Sequence, residues 1–330
     1  MSRQFRIRVL GPLAALAVGI STMVAASMVQ ANVLAPGAIT LVVPYTPGGT
    51  TDLLARRIAQ GMSEQLKRPV VVDNRPGGGT AIAASTVARA APDGRTLLIA
   101  SNATLAVNQH LGIKLGYAPD SSFDYISLLA TVPNVVVTRP DARWRSLADV
   151  MASSKTGQPA SYGSMGTGTS THIAMEVLNQ ALSAQLTHVP YKGSAPALVD
   201  LMGGHVDVVI DTLVATLPHL REGKLRALAV LSAQRSSSAP DIPTAKEALG
   251  RDINIYSWFG LVAPKGTPPN VMAALHDAAV SVLKAPALQK ELGPQGVDLV
   301  GSDPRAFGEF VKDQQRMYSE IISTNKLKLN

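Results

Sequence analysis

The chain alternates short apolar runs rich in β-branched residues with longer amphipathic runs, and this alternation constrains the fold more than any other feature. Residues 39–43 read Ile-Thr-Leu-Val-Val, which is typical of a buried strand. Apolar residues then recur every four positions from Leu54 to Leu66, the spacing of one face of a helix. Two more strands and a helix are predicted over residues 70–100. Repeated β-α-β units predict a doubly wound α/β domain with a mostly parallel sheet.

A second series of the same kind begins after Asn134. Its strands are predicted at residues 135–138, 160–162, 206–210 and 227–231, with helices between them. A further strand at 258–263 is followed by two long amphipathic helices. Two α/β series of similar size predict two lobes with a ligand cleft between them. Ligands of open α/β sheets bind at the carboxyl ends of strands, so the loops there are the candidate sites.

The first 31 residues have the composition of an export signal. Three arginines precede an uncharged run over residues 9–29, and the run ends in Val29-Gln30-Ala31, a small-x-Ala pattern of the kind that signal peptidase cuts. We expect cleavage before Asn32 and export of the mature chain. The alternative is an uncleaved membrane anchor, because the run is long enough to span a bilayer.

Composition excludes several functional classes. The sequence has no Cys, which excludes disulfides, thiolate zinc sites, a cysteine nucleophile and a lipid-anchor cysteine. Beyond the leader, 27 basic and 23 acidic residues are scattered without interleaved aromatics, so nucleic-acid binding is not expected. No G-x-S-x-G elbow occurs, and His172 and Glu176 lack the further ligands of a metal cluster. We therefore predict no enzyme activity, no metal and no cofactor.

The loop of residues 44–52, Pro-Tyr-Thr-Pro-Gly-Gly-Thr-Thr-Asp, joins the first strand to the first helix. Glycines let a backbone approach a ligand closely, and a helix start offers free N–H groups to an anion. The alternative is a purely structural turn. The predicted ligand-binding residues here are Tyr45, Thr46, Gly48, Gly49, Thr50 and Asp52.

A second loop, residues 162–172, also joins a strand to a helix, but in the other lobe. It supplies three glycines and five hydroxyl side chains, which can hold a carboxylate or phosphate through N–H and O–H donors. It is neither a dinucleotide fingerprint nor a P-loop, since Thr171 stands at the third glycine position and no Gly-Lys-Ser/Thr follows. The alternative is a linker. The predicted ligand-binding residues here are Ser164, Thr167, Thr169, Ser170 and His172.

Three further residues lie at predicted strand ends. Ser101 and Asn102 follow the strand at 96–100 and could donate to a ligand, while Asp211 follows the strand at 206–210 and could accept from a ligand hydroxyl or amine. The alternative for Asp211 is capping of the next helix. Lys192 could reach an anion or could be a solvated loop charge. Because neither glycine-rich loop contains an arginine, we predict that neutral donors hold the ligand carboxylate.

Several motifs together resemble the tripartite tricarboxylate transporter receptors, also called the Bug family. Residues 44–52 match a P-x-x-P-G-G-x-x-D loop, and Val71-Val72-Asp73-Asn74-Arg75-Pro76-Gly77 resembles a V-V-[ED]-N-R-P-G segment. The same holds for Ala91-Pro92-Asp93-Gly94, for Val189-Pro190-Tyr191-Lys192-Gly193 and for Ala263-Pro264-Lys265-Gly266-Thr267-Pro268. The match extends in order over essentially the whole mature chain.

The resemblance implies a two-lobed periplasmic binding protein of the type II fold. Lobe 1 would comprise residues 32–134 and 256–330, and lobe 2 residues 135–255. Such receptors close on a small organic anion and deliver it to membrane subunits of a transporter. The ligand class is a mono- or dicarboxylate, with amino acids and aromatic acids included, and a monomer is expected.

The resemblance leaves two functions open, transport and the presentation of a ligand to a signalling partner, while an exported hydrolase lacks a nucleophile and base. Three positions depart from the family pattern. Thr212 follows Asp211 where Asn is usual, Gly77-Gly78-Gly79-Thr80 replaces G-A-G-G, and Arg95 replaces a frequent Tyr. These departures concern the identity of the ligand rather than the fold.

Overall fold

The computed structural model describes residues 34–110, 112 and 115–327, and the predicted leader lies outside them. The strands are β1 Ile39–Val43, β2 Val70–Asn74, β3 Thr96–Ser101, β4 Phe123–Val132, β5 Asn134–Thr138, β6 Ser161–Ser164, β7 Thr187–Pro190, β8 Val208–Thr212, β9 Arg226–Val230, β10 Ser257–Pro264 and β11 Asp298–Leu299. The helices are α1 Thr50–Leu66, α2 Ala81–Ala88, α3 Leu147–Ala152, α4 Ser170–Leu182, α5 Ser194–Gly203, α6 Leu213–Arg221, α7 Ala245–Leu249, α8 Pro269–Leu283, α9 Pro286–Leu292 and α10 Pro304–Thr324.

Six strands form sheet A, in the order β11-β4-β10-β3-β1-β2. Strand β1 pairs in parallel with β2 and β3, whereas β10 runs antiparallel to β3 and β4. All eight residues of β10 are buried. Gly260 allows this burial, because a Cβ at that position would overlap the ring of Phe307 on α10. The close approach of ring and strand fixes α10 against sheet A.

Five strands form sheet B, in the order β7-β6-β8-β5-β9. Strand β6 pairs in parallel with β7 and β8, and β5 runs antiparallel to β8 and β9. The β-branched run of β5 is buried on both faces. Parallel strands β6, β7 and β8 end at the same edge of the sheet, so the loops that follow them lie together.

The chain passes between the sheets at two neighbouring places. Strand β4 ends at Val132 and β5 begins at Asn134, so Pro133 alone separates them. The return lies between β9 and β10. The Asn134 side chain connects the two crossing segments by hydrogen bonds. Its amide donates to Ile255 O at 3.0 Å and accepts from Ser257 Oγ at 2.8 Å. The division into lobes at residues 134 and 256 stays a prediction.

Helix α1 shows why the apolar periodicity is informative. Leu54, Ile58 and Met62 are buried at the predicted four-residue spacing and pack with α8 against sheet A. No single helix within the described residues is long and apolar enough to cross a membrane, and only α8 together with residues 286–295, bent by 60°, reaches that length and composition.

The predicted fold class, α/β with two helix-flanked sheets, is confirmed. The prediction of mostly parallel pairing is corrected: both sheets are mixed. The physical reason is the passage of the chain between the two sheets. The strands next to these passages, β4, β5 and β10, each run antiparallel to a neighbouring strand. Strand β4 was not predicted, since its ten residues lack a clear alternation of apolar and polar side chains.

Candidate functional site

The two glycine-rich loops follow β1 and β6, and the first of them contacts sheet B through the loop after β7 and the end of β8. Thr46 N donates to Lys192 O at 3.0 Å, and the Thr50 and Thr212 hydroxyls lie 2.6 Å apart. Below them, Ser170 Oγ lies 2.8 Å from Ser257 Oγ. Sheet A supplies one partner of each pair and sheet B, or the helix after it, the other. The structure therefore shows the cleft with its walls in contact.

A cavity of about 340 Å³ lies between the two walls. Its volume is at the lower end of the range of small-molecule sites. Sheet A contributes one side and sheet B the other, and the lining residues are Pro44, Tyr45, Gly77, Gly78, Gly79, Thr80, Met165, Gly166, Thr167, Pro190, Tyr191 and Lys192. No acidic side chain lines it, and Lys192 is the one cation among the lining residues. An anion is the ligand class that this lining favours.

Two other cavities differ in charge and position. Residues 48–52 face a separate cavity of about 340 Å³ with Arg56 and His219, where Asp52 supplies a negative charge. An open depression of about 630 Å³ beside Arg139 is larger, but no predicted site residue lines it. Of the predicted residues, Tyr45 and Thr167 line the cavity between the sheets, whereas Gly48, Gly49, Thr50 and Asp52 face the other side of the first loop.

Asp52 holds the first loop in shape. Its carboxylate accepts from Gly48 N at 3.1 Å, from Asn74 Nδ2 at 3.0 Å and from two guanidinium nitrogens of Arg56. Partial burial by itself would raise the pKa of Asp52, but the hydrogen bonds from Arg56, Gly48 and Asn74 outweigh it and lower the pKa. The carboxylate thus stays charged and fully engaged, which makes it a positioning residue for the turn.

Two hydroxyls of the second loop, those of Thr169 and Thr171, make hydrogen bonds within the protein. Thr169 Oγ1 caps α4 by accepting from His172 N at 3.4 Å and donates to Gly166 O at 2.7 Å. Thr171 Oγ1 accepts from Met165 N at 3.1 Å. Both hydroxyls are buried, and a direct contact between Thr169 and a ligand stays a prediction.

Three stacked rings support the second loop from behind. His188 lies between Tyr162 and His172, with ring centroids 4.8 Å and 3.9 Å away. His188 Nε2 lies 2.7 Å from Ser164 Oγ, and His172 Nδ1 accepts from Gly168 N at 3.2 Å. Burial lowers the pKa of His172 to about 3, helped by His188, and lowers that of His188 to about 4. Both rings are neutral near pH 7, as the acceptor role of His172 requires.

The pairing of His172 with Glu176 as metal ligands is not seen. Glu176 accepts from the Tyr162 hydroxyl and from Asn179, while His172 Nδ1 accepts a hydrogen bond from Gly168 N. Across the described residues, no group of three or more His, Asp or Glu side chains is arranged to hold a metal ion.

Asp211 is fully buried within β8, and its two carboxylate oxygens differ. Oδ1 accepts from Ser194 Oγ at 2.9 Å and from Thr212 N at 2.6 Å, whereas Oδ2 has no partner among the described residues. Burial raises its pKa to about 6, against the opposing hydrogen bonds from Thr212 and Ser194. Thr212, not Asp211, occupies the N-cap position of α6, and its side chain makes no capping hydrogen bond. A capping role therefore does not account for this carboxylate.

The side chains of Ser101 and Asn102 are buried and form hydrogen bonds with other residues of the protein. The Tyr45 hydroxyl lies 3.0 Å from Ser101 Oγ, and burial raises the pKa of Tyr45 to about 12, so the phenol is neutral. The Asn102 amide donates to Tyr318 Oη at 2.9 Å and accepts from Trp258 N at 3.1 Å. Both side chains thus position the walls of the cavity.

Sequence reasoning missed the lining segment 77–80 as a site. Gly77, Gly78 and Gly79 all have positive φ, and a Cβ on Gly79 would lie 2.8 Å from Thr167 O across the cleft. Three consecutive glycines beside a strand end were the available signal, because such a run permits close backbone approach. Met165 and Tyr191, which also line the cavity, carried no signal of this kind.

Comparison with known proteins identifies a family whose model matches most of the chain. The family described as "Tripartite tricarboxylate transporter family receptor" matches residues 54–327. Three solved structures are similar over nearly their whole lengths. The periplasmic binding protein BugD is 32% identical, with 88% of this chain and 98% of BugD covered and a TM-score of 0.84.

The other two structures contain ligands. MatC from Rhodopseudomonas palustris, with bound malate, is 31% identical, with 87% of this chain and 100% of MatC covered and a TM-score of 0.83. A second R. palustris protein, solved with adipate, is 34% identical, with 88% and 98% covered and a TM-score of 0.84. Both ligands are dicarboxylates.

Proposed function

The chain belongs to the tripartite tricarboxylate transporter receptor family and has the fold of its periplasmic solute-binding proteins, and on this basis we propose that it captures a small carboxylate between its sheets and delivers it to membrane subunits. The observation that carries the proposal is the 340 Å³ cavity between two strand-to-helix loops, whose lining contains no acid. Malate and adipate in two similar structures support the same ligand class. The family is one of receptors, and we propose no catalytic step.

Neutral groups supply the anion-binding surface in this proposal. Four of the seven residues in the wall segments 77–80 and 165–167 are glycines, and backbone N–H groups can replace a cation where several converge. The lining contains no arginine. We therefore retain the prediction that neutral donors hold the carboxylate, with the Thr167 hydroxyl available in the lining and the buried Thr169 shaping the wall.

A carboxylate screen by thermal shift tests the proposal. A ligand at a hundred times its dissociation constant adds about 2.7 kcal/mol to the free energy of unfolding, enough to raise the melting temperature by about 5 °C or more. The amide of each acid is the matched control, and it should give no shift. Stabilisation by the amides alone, or by none of the acids, would count against the proposal.

Uptake by cells tests the transport role. Once the ligand is known, cells that lack the protein should fail to take it up; normal uptake would instead favour a sensor.

We also propose that the protein acts in the periplasm after losing residues 1–31. The small-x-Ala end of the leader and the family's periplasmic members support this. The intact mass of the exported protein should correspond to residues 32–330 without a lipid. A mass that includes the first 31 residues would show an uncleaved anchor instead.

A further inference from the structure

Lys192 lies where the two walls of the cleft meet. Its carbonyl oxygen accepts from Thr46 N at 3.0 Å, and the next residue, Gly193, has a φ of 145°. A Cβ on Gly193 would lie 2.6 Å from Thr46 Oγ1, so only glycine fits between the two loops. The backbone of Lys192 is therefore held from both sides, in direct contact with the loop that follows β1.

The side chain of Lys192 is exposed and lines the cavity, and it makes no ion pair within the described part of the chain. By contrast, the other charged residues near the first loop are paired, as Asp52 is with Arg56. The lining thus combines an uncharged, glycine-rich wall with one lysine ammonium group. Such an arrangement has two separate places for negative charge.

Resting on the proposed function, we infer that Lys192 determines specificity by binding a second anionic group of the ligand, so that the protein prefers dicarboxylates to monocarboxylates of the same length. One carboxylate lies against the neutral wall, where helix starts and backbone donors replace a cation. The other faces the lysine at the rim. A fixed backbone with a long side chain suits this role, because the ammonium can follow ligands of different lengths.

The expected effect is moderate because Lys192 is exposed. Exposed ion pairs are weak and are screened by salt. We expect Lys192→Met to weaken dicarboxylate binding about threefold to tenfold, mainly through slower association, and to leave monocarboxylate binding unchanged. Raising the ionic strength to about 1 M, where the Debye length is about 3 Å, should remove the difference between wild type and variant.

Calorimetry on matched acids tests the inference. The probes are succinate, glutarate and adipate, each paired with the monocarboxylate of equal carbon number: butyrate, pentanoate and hexanoate. Lys192→Arg should retain the preference for the diacids. Lys312→Met, which removes an exposed lysine of α10 that does not line the cavity, controls for net charge and should behave as wild type.

Each other outcome overturns the inference in a recognisable way. Equal weakening of diacids and monoacids by Lys192→Met would mean that the lysine holds the first carboxylate. No change with any acid would mean that it contacts no ligand charge. If none of the six acids binds the wild-type protein although another carboxylate stabilises it in the thermal-shift screen, this inference fails and the proposed function stands; if no carboxylate stabilises it, both fail.

Discussion

Replacing Thr169 by aspartate should weaken carboxylate binding about a hundredfold while leaving the helix that it caps in place. Aspartate is as good an N-cap as threonine, so its side chain still accepts from His172 N. The hydrogen bond that Thr169 Oγ1 donates to Gly166 O is lost, because an ionised carboxylate has no proton to donate. The new charge lies directly behind Gly166, which lines the cavity. At a separation of about 6 Å and an effective dielectric constant of about 20, two negative charges repel by about 3 kcal/mol.

The matched control is Thr169→Asn, which has nearly the same shape and capping ability without the charge. Its affinity should stay within a few-fold of wild type. Calorimetry at pH 8, where the introduced carboxyl is ionised, measures both variants on the ligand found by thermal shift. Wild-type affinity in Thr169→Asp would show that the anion binds elsewhere. Equal loss in both variants would point to packing rather than to charge.

Replacing Asp211 by asparagine should stabilise the protein at neutral pH. Burial raises the pKa of Asp211 from 3.8 in the unfolded chain to about 6 in the folded one. The folded state therefore binds the proton more tightly, and the stability that this carboxyl contributes below pH 4 is lost as the pH rises towards 6. The difference corresponds to about 3 kcal/mol. Asparagine removes this penalty, less the cost of burying its own unpaired amide.

We expect the Asp211→Asn variant to be about 1–3 kcal/mol more stable than wild type at pH 7, with the advantage shrinking between pH 6 and pH 4. Urea denaturation at several pH values measures it. Asp207→Asn is the control, since both Asp207 oxygens already accept from Trp144 or Ser161, and this change should destabilise. An Asp211→Asn variant that is less stable throughout would show that the carboxylate supports the fold.

A stability gain on removing Asp211 would mean that the residue is kept for binding, because buried groups that cost stability are retained where function needs them. Oδ2 is unpartnered and lies on the residue next to Thr212, whose hydroxyl meets Thr50 of the other wall. Asp211 is fully buried and is not among the described residues that line the cavity between the sheets. The sequence-based prediction is that it accepts from a ligand hydroxyl or amine. That role stays a prediction.

The sequence allowed the elements and the loop positions to be predicted because both depend on local chemistry. The apolar spacing of α1 and the glycines at 48 and 49 are visible without any tertiary contact. The direction of individual side chains was not predictable. Ser164 was expected to face a ligand, but its hydroxyl lies 2.7 Å from His188 Nε2, a partner 24 residues away that only the fold brings near.

The family resemblance led us to expect residues 256–330 to return to lobe 1, but the strands with which the returning strand would pair were not predicted. Strand β10 lies between β3 and β4, and Asn102 bonds to Trp258 and Tyr318 more than 150 residues away. Such contacts depend on the return of the chain from sheet B, which no local pattern encodes. For the same reason Asn102 was predicted to donate to a ligand, although its amide joins β3 to β10 and α10.

The joint between β4 and β5 is one proline long, and this has a thermodynamic consequence for capture. Pro133 has a φ restricted by its ring, and a one-residue connection has little conformational entropy to lose. The relative freedom of the two sheets is therefore already restricted when the chain folds. Ligand capture does not have to order a long linker, so more of the interaction free energy remains as affinity.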